Sequence, residues 1–231
     1  MACGLFGKLP SKRDFIAVNV PREFLSIWEV WLQGGVSASK IALGAQWLPA
    51  YLSAPLWRFW LGADICGMPV TGVFMSSVDG VGRHFPLTVF ACADTSDAFL
   101  LPSDEGAGAW YESAEDFLLG MLEPGAAYDA SLAALEALPL PARRPAPAAD
   151  ATVVRLFGAS VVRSADVAEI VRGVEQLEAE GQRCQHLRQS VWWTIGGQDF
   201  APAMVLAQGL PDPHILGAML NGTFQAPETE A

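Results

Sequence analysis

The stretch from Trp47 to Cys92 constrains the fold most, because it combines apolar strand candidates, a tight turn and the densest aromatic cluster of the chain. Leu56–Leu61 predicts one strand, and Val70–Val78 and Phe85–Cys92 predict the next two. The last two are joined through Asp79–Arg83 (DGVGR). Asp-Gly between apolar runs is a strong hairpin signal, since both residues tolerate positive φ. These two strands are therefore expected to pair in antiparallel fashion.

The predicted strands are apolar on both of their alternating faces. In Phe85–Cys92, Leu87 and Val89 face one way, and Phe90 faces the other. A sheet exposed on one side would carry polar residues in one of these sets, so both faces are expected to be covered by helices. The sequence thus predicts an α/β protein, a three-layer α/β/α sandwich with a mixed, largely antiparallel central sheet.

Helical patterns flank this stretch on both sides. Pro21 opens a helix whose apolar stripe includes Phe24, Trp28 and Trp31, and Gly34-Gly35 is expected to weaken or end it. The other predicted helices are Ser103–Leu122, Tyr128–Leu138, the segment from Ser164 to Gly181, and one that starts at Asp212-Pro213. The other predicted strands are Gly4–Leu9, Thr152–Phe157, Val191–Ile195 and Ala203–Gln208.

One segment, Pro139–Asp150 (PLPARRPAPAAD), has low complexity, and its prolines favour an extended conformation. It is compatible with a domain boundary, but the remainder is short for an independent core. We therefore predict a single domain over residues 1–224 with a Pro-rich surface loop at 139–150. Residues 225–231 are expected to form a disordered tail.

The composition excludes several classes of function. A net charge of −11 argues against nucleic acid and anionic membrane surfaces, both of which need clustered Lys and Arg. No apolar run approaches the ~20 residues of a membrane helix, and Met1–Pro10 lacks a secretion signal. The four cysteines are scattered, which is typical of buried, reduced thiols. The expected location is the cytoplasm, without membrane insertion.

Five polar residues stand out against this apolar background. Arg58 lies inside a predicted strand and needs a partner, because an unpaired buried charge costs several kcal/mol. Asp79, Arg83 and His84 flank the hairpin turn, and Asp14 belongs to the charged loop that also contains Lys12 and Arg13. Two interpretations remain open. These groups form a polar pocket that binds a partner or a phosphate, or they pair with one another and fix the loop geometry.

The sequence offers no recognisable catalytic or cofactor site. It lacks G-x-S-x-G and H-E-x-x-H, and its three histidines are too scattered to suggest a metal site. Gly80-Val81-Gly82 precedes a strand, so it is interpreted as a turn rather than a phosphate cradle. Ser77, Asp79 and His84 could be arranged as a triad, but nothing in their spacing supplies an oxyanion hole. We expect no enzyme activity and no cofactor.

Three sequence blocks carry a resemblance to a known family. These are GLFGKLPSKRDF at Gly4–Phe15, YLSAPLWRF at Tyr51–Phe59 and SSVDGVGRHFPLT at Ser76–Thr88, with weaker matches in SVWWT and GLPDPHILGAML further on. Together they resemble the type VI secretion-associated TagF (ImpM) family. The resemblance implies an α/β sandwich and a bacterial protein that restrains assembly or firing of the secretion system after translation. It also implies a partner, a forkhead-associated (FHA) scaffold protein.

These observations predict a non-catalytic accessory protein of type VI secretion, a post-translational repressor that acts by protein-protein binding. The expected contact surface is the loop Ser11–Asp14 with the turn Asp79–His84. Two alternatives stay open. One is a structural or chaperone-like component of the secretion apparatus. The other is a small-molecule (anion) binding or hydrolytic protein that uses Arg58, Asp79 and Arg83.

Overall fold

A seven-stranded sheet forms the centre of the protein. The computed structural model describes residues 2–94, 98–123, 128–144, 153–156, 159–162, 171, 186–197 and 199–224. The strands in chain order are Gly4–Gly7 (β1), Ile16–Val18 (β2), Trp57–Leu61 (β3), Val70–Met75 (β4), Leu87–Cys92 (β5), Ala98–Phe99 (β6), Arg143–Arg144 (β7), Val153–Leu156 (β8), Ala159–Val162 (β9), Gln189–Thr194 (β10) and Ala203–Gln208 (β11). The central sheet has the order β11-β10-β3-β4-β5-β1-β2, while β6 pairs with β7 and β8 with β9.

Every pairing in the central sheet is antiparallel. The predicted hairpin is present: Val70 lies opposite Cys92 and Met75 opposite Leu87, with a further bridge between Val78 and His84. The α/β class and the largely antiparallel sheet are therefore confirmed. The expected mixed character is not found among the described strands. Neighbouring strands such as β3 and β4 are joined by short returns that reverse direction, whereas parallel neighbours need a long crossover.

The α-helices whose full extent lies within the described residues are Arg22–Leu43 (α1), Trp47–Ser53 (α2), Ala63–Cys66 (α3), Gly108–Gly120 (α4), Tyr128–Ala137 (α5) and Ile215–Asn221 (α6). The predictions for α5 and α6 are confirmed to within a residue or two at their ends, and Gly222 ends α6 with a φ of 75°. Apart from Val171, which is helical, the predicted helix from Ser164 to Gly181 lies outside the described residues. Residues 145–150 of the Pro-rich segment and the tail 225–231 lie outside them as well. None of the described helices is long and apolar enough to cross a membrane.

The sequence predicted that Gly34-Gly35 weakens or ends the first helix, and the helix does not end there, because α1 continues to Leu43. A Cβ on Gly35 would lie 2.9 Å from Leu216 Cδ2, and one on Gly34 would lie 3.3 Å from Pro213 Cβ. The missing side chains therefore let α6 and the turn before it pack directly onto the backbone of α1. This close packing outweighs the propensity penalty of about 1 kcal/mol for each glycine in a helix.

The start of α4 also differs from the sequence prediction, which placed a cap at Ser103. Residues 101–107 instead form turns that precede the helix at Gly108. The carboxylate of Asp104 accepts a hydrogen bond from the Leu101 amide at 2.8 Å and pairs with Arg144 at 2.9 Å. Because Asp104 stabilises this turn, the helix begins only after it.

Both faces of the sheet are covered, as predicted. On one face α1, α2 and α6 pack on a core in which the rings of Trp28, Phe59 and Trp192 contact one another, with Trp28 at 4.4 Å from Phe59 and at 5.6 Å from Trp192, measured between ring centroids. On the other face α4 and α5 cover Leu87 and Val89. The two core clusters alternate along β5, because successive side chains of a strand point to opposite faces.

Candidate functional site

The turn that joins β4 to β5 folds tightly around Asp79. The Asp79 amide donates to the Arg83 carbonyl at 3.0 Å, and the Gly82 amide donates to the Asp79 carbonyl at 3.0 Å. Gly82 adopts a φ of 88°, in the left-handed region that a glycine occupies without strain. The turn therefore buries the Asp79 side chain, while Val81, Gly82 and Arg83 stay exposed.

Four donors surround the buried Asp79 carboxylate. Its Oδ1 accepts hydrogen bonds from the amides of Val81 at 3.0 Å and Arg83 at 2.9 Å. Its Oδ2 accepts from Lys8 Nζ at 2.8 Å and from Arg83 Nε at 2.7 Å. Lys8 is itself only 6% exposed. One carboxylate is thus shared by two cations, and both of its oxygens are satisfied.

A second chain segment, residues 8–15, is bound to this turn. The Gly80 amide donates to the Lys12 carbonyl at 2.7 Å, and the Arg83 guanidinium donates to the Arg13 carbonyl. A Cβ on Gly80 would lie 2.9 Å from the Pro10 carbonyl oxygen, so only glycine permits this approach. With the pair between Lys8 and Asp79, these contacts make the loop and the turn one unit.

The protonation state of Asp79 follows from its contacts. Burial raises the pKa of its carboxyl, but hydrogen bonds from Lys8, from Arg83 and from the backbone outweigh burial and hold the pKa well below the usual range. A carboxylate this stabilised in its charged form is a poor general base. The arrangement instead suits a structural role, in which the permanently charged carboxylate holds the loop and the turn together.

The triad considered from the sequence does not form. Ser77 Oγ donates to the Lys8 carbonyl at 2.8 Å, and Asp79 binds its two cations. The ring of His84 meets the rings of Trp47 and Tyr51 edge-on, each at 5.5 Å between centroids. Each member of the set therefore has its contacts elsewhere.

Arg58 does not join Asp79. The prediction that it needs a partner is confirmed: its Nε and a terminal nitrogen each lie 2.7 Å from one oxygen of Glu115 on α4. The hydrogen bond with Glu115 raises the pKa of Arg58, against the effect of burial. Beside the pair, the Tyr111 ring lies under the guanidinium, and the Tyr111 hydroxyl meets the Thr71 hydroxyl. Arg58 thus fastens α4 to the sheet.

The loop and the turn present a surface with apolar and basic side chains, which we call the Asp79 surface and define as Lys12–Phe15 with Gly80–His84. Phe15 is 45% exposed and Val81 56%. The Arg83 side chain is 57% exposed, and Arg13 and Asp14 are exposed as well. The predicted contact residues Lys12, Arg13, Asp14, Asp79, Arg83 and His84 therefore lie on two joined segments, and Arg58 is in a separate pair.

Two important residues were missed in the sequence. Lys8 is a lysine inside the apolar segment Gly4–Leu9, the same anomaly that drew attention to Arg58. Glu115 lies four residues after Tyr111, next to the apolar stripe of α4, so it was available as the partner of a buried cation.

Two open grooves lie away from Asp79 and Arg58. One, of about 850 Å³, includes Ile27, Asp64 and Arg188 in its lining. The other, of about 580 Å³, includes Asn19 and Cys92. Within the described residues no cluster of three or more His, Cys, Asp or Glu side chains could hold a metal ion.

Fold and site together define a class: an α/β sandwich protein in which buried ion pairs hold loops and a helix against an antiparallel sheet. Residues 4–138 match the family model of the TagF N-terminal domain, described as type VI secretion system-associated. This match spans more than half of the chain, and the chain belongs to the TagF family, which confirms the resemblance seen in its sequence blocks.

A solved structure agrees with the family assignment. The chain is similar to PA0076 from Pseudomonas aeruginosa PAO1, whose crystal structure aligns with a TM-score of 0.74 and 32% sequence identity. The alignment covers 100% of this chain and 99% of the PA0076 chain. No curated protein matches the sequence significantly.

Proposed function

We propose that this protein represses type VI secretion after translation, in the cytoplasm, by binding a partner protein and without catalysing a reaction. The partner we propose is the FHA-domain scaffold that the family resemblance implies. Membership of a type VI secretion-associated family supports the pathway.

One observation carries the choice of contact surface. The buried Asp79 carboxylate joins the loop and the turn through Lys8 and Arg83, so the exposed side chains sit on a fixed backbone. A surface that is already ordered loses little conformational entropy on binding. Arg13, Phe15 and Arg83 are of the residue types that most often anchor interfaces, namely arginine and aromatic side chains.

The test is a charge reversal that leaves the folded core intact. Arg83 is unsuitable, because its guanidinium holds Asp79 and a change there alters the fold of the turn. Arg13 takes part in the loop through its carbonyl, which accepts a hydrogen bond from the Arg83 guanidinium, and its side chain is exposed. Arg13→Glu is therefore expected to release secretion in cells with an active system and to lose the FHA-domain protein in affinity capture.

A matched variant controls for the change of charge itself. Arg22 is exposed at the first turn of α1, where a glutamate suits the helix macrodipole. Arg22→Glu makes the same charge reversal away from the Asp79 surface and should still repress. If Arg13→Glu represses as well as the wild type, the Asp79 surface is not the contact. Capture of baseplate or sheath proteins with no FHA-domain protein would favour a structural component instead.

A further inference from the structure

The charge of the Asp79 surface is opposite to that of the chain. The protein has 14 basic and 25 acidic residues and a net charge of −11. The two segments of the surface, Lys12–Phe15 and Gly80–His84, contain three basic side chains and only one acidic one. The basic residues are Lys12, Arg13 and Arg83, and the acidic residue is Asp14. The surface is a basic area on an acidic protein.

The internal pairing does not neutralise this charge. Asp79 faces both Lys8 and Arg83, so one negative charge is shared by two positive ones. Lys8 is buried, whereas the Arg83 side chain is 57% exposed, and the excess positive charge therefore reaches solvent at Arg83. The exposed Arg13 adds to it. The ammonium of Lys12 lies over the Tyr128 ring, 3.9 Å from its centroid, a contact that leaves its charge in place.

Apolar side chains lie on the same two segments. Phe15 is 45% exposed, and its inner side is held against Phe85 at 4.9 Å and Phe6 at 5.9 Å between centroids. Val81, at the tip of the turn, is 56% exposed. A ring that is packed on one side and exposed on the other is already ordered, so a partner can contact it at little entropic cost.

We propose that the Asp79 surface binds an acidic peptide segment of the partner that also carries an aromatic or aliphatic side chain. Carboxylates of the segment would face Arg13 and Arg83, and its apolar side chain would lie on Phe15 and Val81. The inference rests on the proposed function and specifies the chemistry of the partner. The protein as a whole is acidic, with a net charge of −11, so complementary charge favours binding of such a segment at this basic surface.

The test uses the full chain, isotopically labelled, and a short synthetic peptide of Glu and Asp residues around a central Phe. Binding is followed by the backbone amide signals at low salt. We expect signal shifts confined to Lys12–Phe15 and Gly80–His84. The affinity should fall roughly fivefold in Arg13→Glu, because reversal replaces an exposed attraction by a repulsion. It should also fall as the ionic strength rises and shortens the screening length.

Three controls define the specificity. Arg22→Glu should bind the peptide within about twofold of the wild type, since its charge lies outside the surface. A peptide with Ala in place of the central Phe should bind more weakly, and one with Lys in place of the acids should not bind. A phosphothreonine peptide of equal charge tests whether phosphate is the preferred group.

Several results would overturn the inference. These are shifts scattered over the whole protein, equal losses in Arg13→Glu and Arg22→Glu, or binding of the phosphopeptide but not of the carboxylate peptide. Its failure is distinguishable from that of the proposed function. If Arg13→Glu abolishes repression but no acidic peptide binds, the proposed function holds and the inference is wrong. If the peptide binds at this surface but Arg13→Glu still represses, the ligand chemistry holds and the Asp79 surface is not the contact through which the protein represses.

Discussion

Asp79 and Arg58 are both charged groups in apolar surroundings, and the protein accommodates them in different ways. Asp79 is a single carboxylate that receives donors from two cations and two backbone amides on two segments. Arg58 makes a one-to-one, two-pronged pair with Glu115 across the interface between β3 and α4. The contacts of Asp79 determine the backbone conformation of a loop and a turn. The pair of Arg58 and Glu115 instead connects a strand and a helix, whose backbones are held by their own hydrogen bonds.

This difference separates the consequences of losing each charge. The contacts of Asp79 define the course of the turn and of the loop beside it, so its loss should alter the exposed surface. The contacts of Arg58 lie between a sheet face and a helix, so its loss should weaken the packing of α4 and leave the Asp79 surface unchanged. Each of the following variants tests this division.

The largest effect is expected from Asp79→Asn. The atom Oδ2, which accepts from Lys8 and Arg83, would be replaced by an amide nitrogen that can only donate. Lys8 would then remain as a buried cation without its anion, which is strongly destabilising. We expect a larger loss of unfolding free energy than in any other variant considered below, measured by urea denaturation and circular dichroism.

Hydrogen exchange localises this effect. In Asp79→Asn the amides of Gly80 and Gly82, which are bonded within the unit of loop and turn, should exchange faster than those of β4. If exchange is instead accelerated uniformly over the sheet, Asp79 stabilises the whole core and not this surface in particular. The proposed difference between the roles of Asp79 and Arg58 would then be wrong.

The second largest loss of stability is expected when the pH is lowered, and it should be no larger than the loss caused by Asp79→Asn. The folded pKa of Asp79 lies below its ordinary value of 3.8, so the carboxylate contributes stability above that pH. This contribution is lost as the pH falls below about 3.8 and the carboxyl becomes protonated in the folded state. The stability of the wild type should therefore decline over that range more steeply than that of Asp79→Asn. Parallel profiles for the two proteins would contradict the assignment.

The third effect is expected from Arg58→Met, which leaves Glu115 unpaired with only 14% of its side chain exposed. Breaking a buried pair in this way should cost about 3 kcal/mol of unfolding free energy. Adding Glu115→Leu removes the orphaned charge, and stability should return to within about 1 kcal/mol of the wild type. If the double variant is as unstable as the single one, the pair has a role that apolar packing cannot replace.

The smallest effect is expected from Tyr111→Phe. It removes the hydroxyl that meets Thr71 but keeps the ring under Arg58 and against Trp193. Thr71 retains its hydrogen bond to the Phe59 carbonyl at 3.1 Å, so the expected loss is about 1 kcal/mol. A loss as large as that of Arg58→Met would mean that the ion pair depends on this hydroxyl network.

The central sheet was predictable because its signals are local. The DGVGR turn between apolar runs predicted the hairpin, and apolar residues on both strand faces predicted two covering layers. The continuity of α1 through Gly34-Gly35 was not predictable, because it depends on contact with Pro213 and Leu216, far along the chain. Helix propensity depends on the residues of one segment, whereas this packing depends on contact between α1 and the segment that contains Pro213 and Leu216.

The candidate site was predictable only in part for the same reason. Asp79, Arg83 and Lys12–Asp14 were identified as a loop and a turn that belong together, and they lie on joined segments. Arg58 was grouped with them because all were charged, although its partner is Glu115. Charge patterns show that a buried ion needs a counter-ion, but they do not show which one the topology supplies.

The family match ends at residue 138, yet β10 and β11 come after it and complete one side of the sheet. Trp192 on β10 is fully buried against Trp28 and Trp31. A fragment that ends at this boundary would leave the edge of β3 unpaired and would lack the Trp192 ring, which leaves a cavity in the aromatic core. Such a fragment should aggregate, so recombinant expression of this protein should use the full sequence.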